Sequence, residues 1–390
     1  MAGRTVLSGI QPTGGVPHLG NYLGALANWV NLQPTAANPN DKVFYSIVDL
    51  HAITQPQDPA TLRKNTKDMA ISLLAVGIDP EKSVLFRQSR VHCHSELAWL
   101  LFCRTPVGWL ARMHQWKTKL EAIQQQQGLN ADGGVSGTLA ENTMALINGS
   151  TGSDSNVVPE SVSSATNTTG PCLGLLAYPV LQAADILLYR ATEVPIGEDQ
   201  IQHMNLTSDI AKSFNSQYKK AVFPIPKGVY ASATAKKIMS LRTPTSKMSK
   251  SDPSDQSRIN INDTPTEILS KIKKATMDST RGVSYDPINR PGVANLLRIH
   301  AAITALKEPG STESTPEGVA RAFESYDNAQ LKKAVGERVV EGLSGVRERM
   351  ERLKKESGYV EEVLRKGEEK ALVVAEKTMR DVKKVIGLAV

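Results

Sequence analysis

The chain has 390 residues, of which 40% are hydrophobic and 22% charged, the balance of a globular protein with room for two domains. It has no run of about 18 apolar residues, so we expect no membrane-spanning helix and no membrane partner. The formal net charge of +7 suits a polyanionic partner, and the three cysteines, at positions 93, 103 and 172, show no paired spacing and fit a reducing compartment.

The first predicted elements are a strand, a loop and the start of a helix within residues 6–24. The stretch begins apolar and β-prone, prolines and glycines interrupt it, and apolar residues at helical spacing follow. The helix start carries His18, Gly20 and Asn21, where backbone N–H groups and the helix dipole favour a phosphate. His18 and Asn21 can donate hydrogen bonds to phosphate oxygens, and Gly20 lets a flat ligand approach the backbone. A turn with a capping polar residue explains this stretch equally well.

The next segments continue an alternation of strands and helices. Residues 43–48 form a strand-like apolar run before Asp49 and His51, a helix is predicted after Asp58, and residues 84–86 form another short strand. The order β-α-β-α-β predicts an α/β fold with a doubly wound parallel sheet. Ligands bind at the carboxyl ends of such strands, which makes Asp49 and His51 candidate pocket residues, although a helix N-cap explains Asp49 about as well.

Residues 92–170 offer weaker signals. His92, Cys93 and His94 form a possible metal cluster, but alternating residues on a strand point to opposite faces, and we expect no protein-bound metal. A second helical region is predicted before a basic cluster that includes Lys117, for which a solvated helix face is the simpler interpretation. Residues 121–170 have few large apolar side chains, and we expect a low-complexity, disordered insertion.

Two later segments place polar residues beside apolar ones. A single acid, Asp185, lies within the apolar helical run 174–189, and because a buried carboxylate needs partners, it has either a structural donor or a ligand. Residues 194–196 predict a strand. Residues 197–200 predict a helix start, whose backbone N–H groups and polar side chains can hold hydroxyls such as those of a ribose. An N-terminal helix cap, which acidic residues favour, is the alternative.

Two lysines three positions apart mark a loop of small residues at 247–251, with the sequence Lys-Met-Ser-Lys-Ser. Lysine is a mobile point charge suited to a phosphate whose charge changes during a reaction, whereas a solvated basic loop is the alternative for this motif alone. After the loop the chain is predicted to be helical and basic, with helix starts near Thr264 and Pro291. Its C-terminal end predicts two long amphipathic helices broken near Gly358.

The segments P-H-L-G-N-Y-L-G-A, A-A-D-I-L-L-Y, V-P-I-G-E-D-Q and K-M-S-K-S-D-P follow one another along the chain. The first and last contain the paired signatures of class I aminoacyl-tRNA synthetases, and all four closely resemble the bacterial-type tryptophanyl-tRNA synthetases. The related tyrosyl-tRNA synthetases share the fold and both signatures but do not usually carry the two middle segments joined in this way. The resemblance implies a Rossmann-like catalytic domain over residues 1–240. It also implies that residues 241–390 hold the K-M-S-K-S loop and a helical anticodon-binding domain, with C-terminal helices packing back on the core.

The resemblance further implies a reaction and its partners. L-Tryptophan would be activated with ATP to tryptophanyl-adenylate and transferred to the 3′ end of tRNA(Trp), with release of pyrophosphate and AMP. ATP would be a substrate that carries Mg2+, and the chain would form a homodimer. A bacterial-type sequence with a low-complexity insertion suggests the mitochondrial matrix, with the bacterial cytoplasm as the alternative. The rival interpretations are a nucleotidylyltransferase, which would lack this combination of segments, and a non-catalytic RNA-binding relative, which would have damaged signatures.

The family's site residues transfer onto the matching positions of this sequence. Those implied to bind ATP are Gln11, Pro12, Thr13, His18, Gly20, Asn21, Gly197, Glu198, Asp199, Ile238, Lys247, Met248, Ser249, Lys250 and Ser251. Those implied to bind tryptophan are Asp185, as the acceptor of the indole N–H, and Tyr178, Gln200, His51, Leu7, Val194 and Ile196. A catalytic role is implied for Lys247, Lys250, Lys117 and Gln11. In two places the pocket departs from many bacterial members: Leu7 stands where they have Phe, and Gln182 where they have Met.

Overall fold

A five-stranded parallel sheet lies at the centre of the computed structural model, which describes residues 3–113, 172–230, 238–250 and 252–388. Its strands are β1 (Thr5–Ile10), β2 (Lys42–Ile47), β3 (Val84–Arg87), β4 (Glu193–Ile196) and β5 (Lys227–Tyr230). They lie in the order β3-β2-β1-β4-β5, which confirms the predicted doubly wound parallel sheet and adds β5, a strand that the sequence analysis did not predict. The order reverses between β1 and β4, where an open α/β sheet leaves a crevice for ligands.

The helices that alternate with these strands lie on both faces of the sheet. They are α1 (Leu19–Asn21), α2 (Ala27–Leu32), α3 (Asp49–Ala52), α4 (Pro59–Val76), α5 (Cys93–Phe102), α6 (Val107–Ala111), α7 (Leu173–Leu188) and α8 (Ile201–Gln217). A π-helical turn (Tyr22–Leu26) joins α1 to α2. The predicted start of α4 is confirmed, because the Asp58 side chain accepts the N–H of Thr61 at 2.7 Å. Residues 92–94 lie at the start of a helix, so the expectation of a strand there is wrong.

The rest of the chain is helical, as predicted. Its helices are α9 (Pro265–Lys273), α10 (Pro291–Lys307), α11 (Pro316–Ala322), α12 (Asn328–Lys355) and α13 (Ser357–Ile386). Thr264 opens α9 in a capping box with Glu267. The two long helices separate at Glu356, close to the predicted break near Gly358. Within the described ranges, no helix combines the length and apolarity needed to cross a membrane.

Side-chain alternation along the strands divides the apolar core into two parts. Val6 and Tyr45 contribute to a cluster that also holds side chains of α2, α4 and α9–α12. Leu7, Phe44 and Phe86 contribute to a second cluster on the opposite face, with side chains of α5, α7 and α8. The first cluster therefore runs from the sheet into the C-terminal helices without a break.

Helix α13 covers the open edge of the sheet along β3. Its first half contributes to the first cluster and its second half to the second, so the helix crosses the sheet edge between them. Gly367 lies at the crossing, where an added Cβ would be 1.8 Å from the carbonyl oxygen of Leu85. Arg87, at the end of β3, forms ion pairs with Glu368 at 2.5 Å and Glu361 at 3.1 Å. A strand edge covered in this way is not free to pair with another chain.

We predict that Gly367→Ala destabilises the protein by about 2–3 kcal/mol, because the added methyl group must push α13 away from β3. Gly358→Ala, near the start of the same helix, is the matched control, since no atom lies within 4 Å of its added Cβ. Urea unfolding of both variants measures the difference. Equal stability of the two variants would contradict the close approach at Gly367.

Candidate functional site

A crevice at the carboxyl ends of the strands collects most of the predicted site residues. The loop 11–17 follows β1, His51 lies in the short helix after β2, and residues 197–200 follow β4. Helix α7 runs across this region and carries Asp185. The sequence rule that polar residues directly after parallel strands share one edge of the sheet holds here for each of these segments.

Asp185 is a buried carboxylate with three hydrogen-bond donors. Its Oδ2 accepts from Nε2 of His51 at 2.8 Å, and its Oδ1 accepts from Nε2 of Gln88 at 2.7 Å and Nδ1 of His94 at 2.6 Å. Burial raises the pKa of Asp185, but the hydrogen bonds from His51 and His94 outweigh it and lower the pKa to about 2. The carboxylate is therefore ionised. The structural donor that was one predicted alternative for Asp185 is present, supplied by three side chains.

A polar stripe runs along α7. Tyr178, Gln182, Asp185 and Tyr189 follow one another at helical spacing on an otherwise apolar helix. The Tyr178 hydroxyl is 3.1 Å from Nε2 of His203. Gln182, one of the two departures from the family pattern, donates through Nε2 to Oε1 of Gln200 at 3.3 Å. The amide that replaces methionine here thus has a polar partner among the predicted tryptophan-binding residues.

The face of the sheet beneath α7 is apolar. Strand pairing places Val194 beside Leu7 and Ile196 beside Gly9, and Ser46 lies opposite Gly9 on β2. Gly9 and Ser46 are small, and the Val48 side chain lies 3.0 Å from the position that a Cβ of Gly9 would take. We call the region between this face and the polar stripe on α7 the slot. An apolar face opposite hydrogen-bonding groups suits a flat ring with one hydrogen-bond donor.

His18 and Asn21 cap the start of α1 reciprocally. Nδ1 of His18 accepts the backbone N–H of Asn21 at 3.2 Å, and the backbone N–H of His18 donates to Oδ1 of Asn21 at 3.2 Å. Burial, and then the positive charges of Lys250, Arg258 and Lys247, lower the pKa of His18 to about 4. The ring is therefore neutral near pH 7 and carries its proton on Nε2, which leaves Nε2–H and the Asn21 amide as donors for an anion.

Gly20 lies close against the His18 ring of this cap. A Cβ at Gly20 would lie 3.0 Å from Cε1 of the His18 ring and 3.7 Å from Cβ of Ile238. Ile238 is buried at the same place. The predicted phosphate-binding helix start and the predicted adenine contact are thus neighbours.

Lys250 reaches the loop after β1. Its Nζ donates to the carbonyl oxygens of Gly15 at 2.7 Å and Thr13 at 3.3 Å. Gly14 and Gly15 have positive φ angles of 70° and 71°, a conformation that glycine adopts without strain. Burial and the positive charge of Arg258 lower the pKa of Lys250 to about 8. Two distant parts of the sequence therefore meet, with a cation held against backbone carbonyls.

Two sets of contacts anchor the lysine loop. Its stem pairs Met239 with Lys247 in an antiparallel bridge, and the buried Asn295 on α10 accepts the N–H of Met239 at 2.8 Å and donates to its carbonyl oxygen at 2.9 Å. The chain beyond the loop pairs with the helix start, because Leu19 donates to the carbonyl oxygen of Ile259 at 2.7 Å. Asn295 thus acts as a strand partner supplied by a helix.

The remaining predicted site residues differ in how exposed they are. Gln11 is exposed and Pro12 buried in the loop after β1, while Gly197, Glu198 and Asp199 form an exposed turn at the start of a 3-10 helix (Glu198–Gln200). Lys247 is exposed, Met248 is buried and Ser249 is partly buried. Lys117, Ser251 and the predicted insertion at 121–170 lie outside the described residues.

Sequence reasoning missed four residues of this region. Gln88 directly follows β3, the position that singled out Asp49 after β2, and Tyr189 lies one helical turn beyond Asp185. Both signals were available in the sequence. His94 was considered only as a metal ligand, and nothing in the sequence marks Asn295, whose partner is backbone.

A different cluster lies beside His94. Side-chain ligand atoms of His92, Cys93 and Glu96 lie within 4.8 Å of one another. Glu96 already pairs with Lys383 of α13 at 2.6 Å, and burial followed by the charge of Glu96 raises the pKa of the Cys93 thiol to about 11. A competing cation and a thiol that resists ionisation disfavour a metal ion there.

Comparisons with known proteins agree with one another. The model of the family described as tRNA synthetases class I (W and Y) matches residues 3–133 and 154–344. A mitochondrial tryptophan--tRNA ligase of Schizosaccharomyces pombe is 42% identical over 99% of this chain and 96% of that protein. A tryptophan--tRNA ligase of Nostoc is 40% identical over 99% of this chain and 98% of that protein. A crystal structure of tryptophanyl-tRNA synthetase from Campylobacter jejuni, complexed with ADP and tryptophan, aligns with a TM-score of 0.72 and 28% identity over 98% of this chain and all of that one.

Proposed function

This chain belongs to the class I tRNA synthetases for tryptophan and tyrosine, and on that premise we propose that it is a tryptophan--tRNA ligase. It activates L-tryptophan with ATP and transfers it to the 3′ end of tRNA(Trp). The observation that carries the proposal is the ionised, buried Asp185 above an apolar slot, in the same crevice as the His18 and Lys250 donors. The S. pombe and Nostoc relatives, which match this chain along nearly its whole length, support the choice of tryptophan over tyrosine.

We propose that the slot beneath α7 holds the indole ring. Leu7, Val194 and Ile196 pack against the ring, and Asp185 accepts the indole N–H. Tyr178 and Gln200 bind the ammonium and carboxylate groups of the amino acid. His51, expected near those groups, contacts Asp185 in this structure and thereby also orients the carboxylate. A wrong substrate without a matching donor leaves one acceptor position of the buried carboxylate unfilled, which discriminates against it without an editing step.

In this proposal ATP binds in the same crevice as the amino acid, on the other side of the place between β1 and β4 where the strand order reverses. Nε2 of His18 and the amide of Asn21 donate to phosphate oxygens, Gly20 and Ile238 contact adenine, and the 197–199 turn holds the ribose. Gln11, Pro12 and Thr13 line the phosphates from the loop after β1. Mg2+ enters with ATP as part of the substrate. The Campylobacter jejuni protein with bound ADP and tryptophan supports the pairing of the two ligands in one crevice.

The two steps require positioning and charge neutralisation more than proton transfer. A tryptophan carboxylate oxygen attacks the α-phosphorus, the bond to the β-phosphate oxygen breaks, and pyrophosphate leaves. The terminal ribose hydroxyl of the tRNA then attacks the carbonyl carbon, loses its proton and expels AMP. Lys250, Lys247, Lys117 and residues 248–251 of the loop stabilise the charge that develops on the phosphates. Phosphate oxygens would replace the carbonyls of Thr13 and Gly15 as partners of Lys250, because ionised acceptors bind an ammonium more strongly.

We propose that residues 241–390 form the tRNA-binding half and recognise the anticodon. A cluster of cations at the end of α9 supports a phosphate contact there. Arg242 donates to the carbonyl oxygen of Lys274 at 2.7 Å, and Lys332 donates to that of Lys273 at 3.0 Å. The Arg242 and Lys332 side chains thereby lie against the backbone of two further lysines, which concentrates positive charge that a polyanion would neutralise.

We propose a homodimer that associates through α5–α7. Large apolar side chains are exposed on these neighbouring helices: Trp99 by 65%, Val107 by 51% and Leu173 by 77%. An apolar patch of this kind is typical of a protein interface. For localisation we propose the mitochondrial matrix, supported by the mitochondrial S. pombe relative, with the bacterial cytoplasm as the alternative in view of the Nostoc relative.

Amino-acid-dependent ATP–pyrophosphate exchange tests the proposed activity. We expect exchange with tryptophan and not with tyrosine, and we expect Asp185→Asn to lower kcat/KM for tryptophan by about 100-fold, the loss of a hydrogen bond to a charged acceptor. A thermal melt confirms that the variant is folded. Exchange with tyrosine instead of tryptophan would contradict the role of Asp185, and no exchange with either would contradict the activity.

The titration of Lys250 gives a pH dependence with a definite sign. Since its pKa is lowered to about 8, the ammonium loses its charge as the pH rises through 8. We expect kcat/KM for ATP, which reports the free enzyme, to fall about tenfold between pH 7.5 and 9. Lys250→Arg stays charged, so its profile should remain flat over this range even if its absolute rate is lower. Parallel profiles for the two proteins would contradict the assignment.

The proposed dimer is tested by Trp99→Asp, which places a charge in the apolar surface. We expect the wild-type protein to sediment as a dimer and the variant as a monomer. Ile288→Asp is the control, because Ile288 is 87% exposed on the C-terminal half, away from α5–α7, and this variant should remain dimeric. A wild-type monomer at micromolar concentration would refute the proposal.

A further inference from the structure

The two oxygens of Asp185 are used unequally. Oδ1 accepts two hydrogen bonds, from Gln88 and His94, and among the described residues Oδ2 accepts one, from His51. A carboxylate oxygen has about two acceptor positions. Oδ1 is therefore saturated by the protein, and Oδ2 keeps one position for a ligand.

A second hydrogen bond extends this arrangement away from the slot. The Tyr189 hydroxyl lies 2.9 Å from Nε2 of His94, whose Nδ1 lies 2.6 Å from Asp185. Because an ionised carboxylate only accepts, Nδ1 of His94 must carry a proton. In the neutral imidazole, Nε2 then accepts the proton of the Tyr189 hydroxyl. The hydrogen bonds from Tyr189 to His94 and from His94 to Asp185 therefore both run in the direction of Asp185.

Aromatic packing fixes the geometry of these hydrogen-bonded side chains. Tyr189 is only 2% exposed and stacks on Phe44 with ring centroids 4.7 Å apart. Phe86 lies against both members, 5.5 Å from the Tyr189 ring and 5.8 Å from the His94 ring. Burial, and then the charge of Asp185, raise the pKa of Tyr189 well above its usual range, so the hydroxyl keeps its proton and remains a donor.

We propose that His94 and Tyr189 are positioning residues for substrate selection: Tyr189 holds the His94 ring, His94 together with Gln88 saturates Oδ1 of Asp185, and Oδ2 is left to accept the indole N–H. This inference rests on the proposed function, in which Asp185 recognises that N–H. The two residues do not touch the substrate. Their effect is on a ligand that donates a hydrogen bond, and a ligand of the same shape without a donor should not feel it.

The test therefore compares two substrates of similar shape. β-(3-Benzothienyl)alanine has sulfur in place of the indole N–H, so the ratio of kcat/KM for tryptophan to that for this analogue measures recognition of the N–H. We expect Tyr189→Phe to lower the ratio about three- to tenfold, the effect of weakening one neutral hydrogen bond, through KM for tryptophan and not KM for ATP. A loss of folding or general packing would affect both substrates equally.

Tyr45→Phe is the matched control. Tyr45 is also fully buried on the sheet, and its hydroxyl donates to the carbonyl oxygen of Trp29 at 2.5 Å on the opposite face. The same atom is removed, but we expect the substrate ratio to stay within twofold of wild type. A second pair of variants addresses His94: Asn retains a donor near the position of Nδ1 and should preserve more of the ratio than Leu.

Asp185→Asn distinguishes a failure of the positioning role from a failure of the proposed recognition of the indole N–H. If this variant lowers the ratio while Tyr189→Phe leaves it unchanged, the positioning role is refuted and the role of Asp185 stands. If Asp185→Asn itself leaves the ratio unchanged, the proposed recognition of the indole N–H fails. A lower ratio in both variants, with Tyr45→Phe unaffected, supports the inference.

Discussion

The burial of a single charge at Asp185 is the constraint on which much of this structure depends. An ionised carboxylate inside an apolar helix is strongly unfavourable unless hydrogen bonds replace its hydration. The replacements come from His51 after β2, Gln88 after β3 and His94 on α5, so that three separate segments converge on one side chain of α7. The same convergence fixes the carboxylate at one side of the proposed amino-acid pocket. Stability and recognition thus make the same demand on these residues.

A second, polar junction ties the two halves of the chain together. The first apolar cluster continues from the sheet into the C-terminal helices, whereas the contacts at the mouth of the crevice are ammonium-to-carbonyl and backbone hydrogen bonds. Apolar packing is insensitive to small charged ligands, but an ammonium held by neutral carbonyls readily exchanges them for a phosphate. Lys250 therefore links the loop after β1 to the lysine loop that Asn295 anchors. A bound nucleotide that displaced the carbonyls would change this link.

Sequence patterns predicted those parts of the fold that depend on local chemistry. The caps of α4 and α9, the three strands before residue 90 and the break between the last two helices all follow from nearby residues. The strand β5 was missed because its four residues, Lys227–Tyr230, include a charge and a glycine and alternate weakly. Residues 92–94 were misassigned because two histidines around a cysteine resemble strand alternation as closely as a helix start. His51 and Gln88 carry a local signal, because each follows a parallel strand. The approach of His94 to Asp185 and the pairing of Asn295 with Met239 depend on long-range contacts, which no local pattern encodes.

The crossing of α13 over β3 at Gly367 has a consequence for biosynthesis. Residues 84–87 leave the ribosome before residues 357–386, so any sheet that forms on the nascent chain has its β3 edge uncovered until α13 has been made. An uncovered strand edge invites pairing with other chains. The edge of β3 is therefore covered only after the last long helix has been made. Gly367, which lets α13 approach Leu85, allows this late segment to cover a strand that is made early.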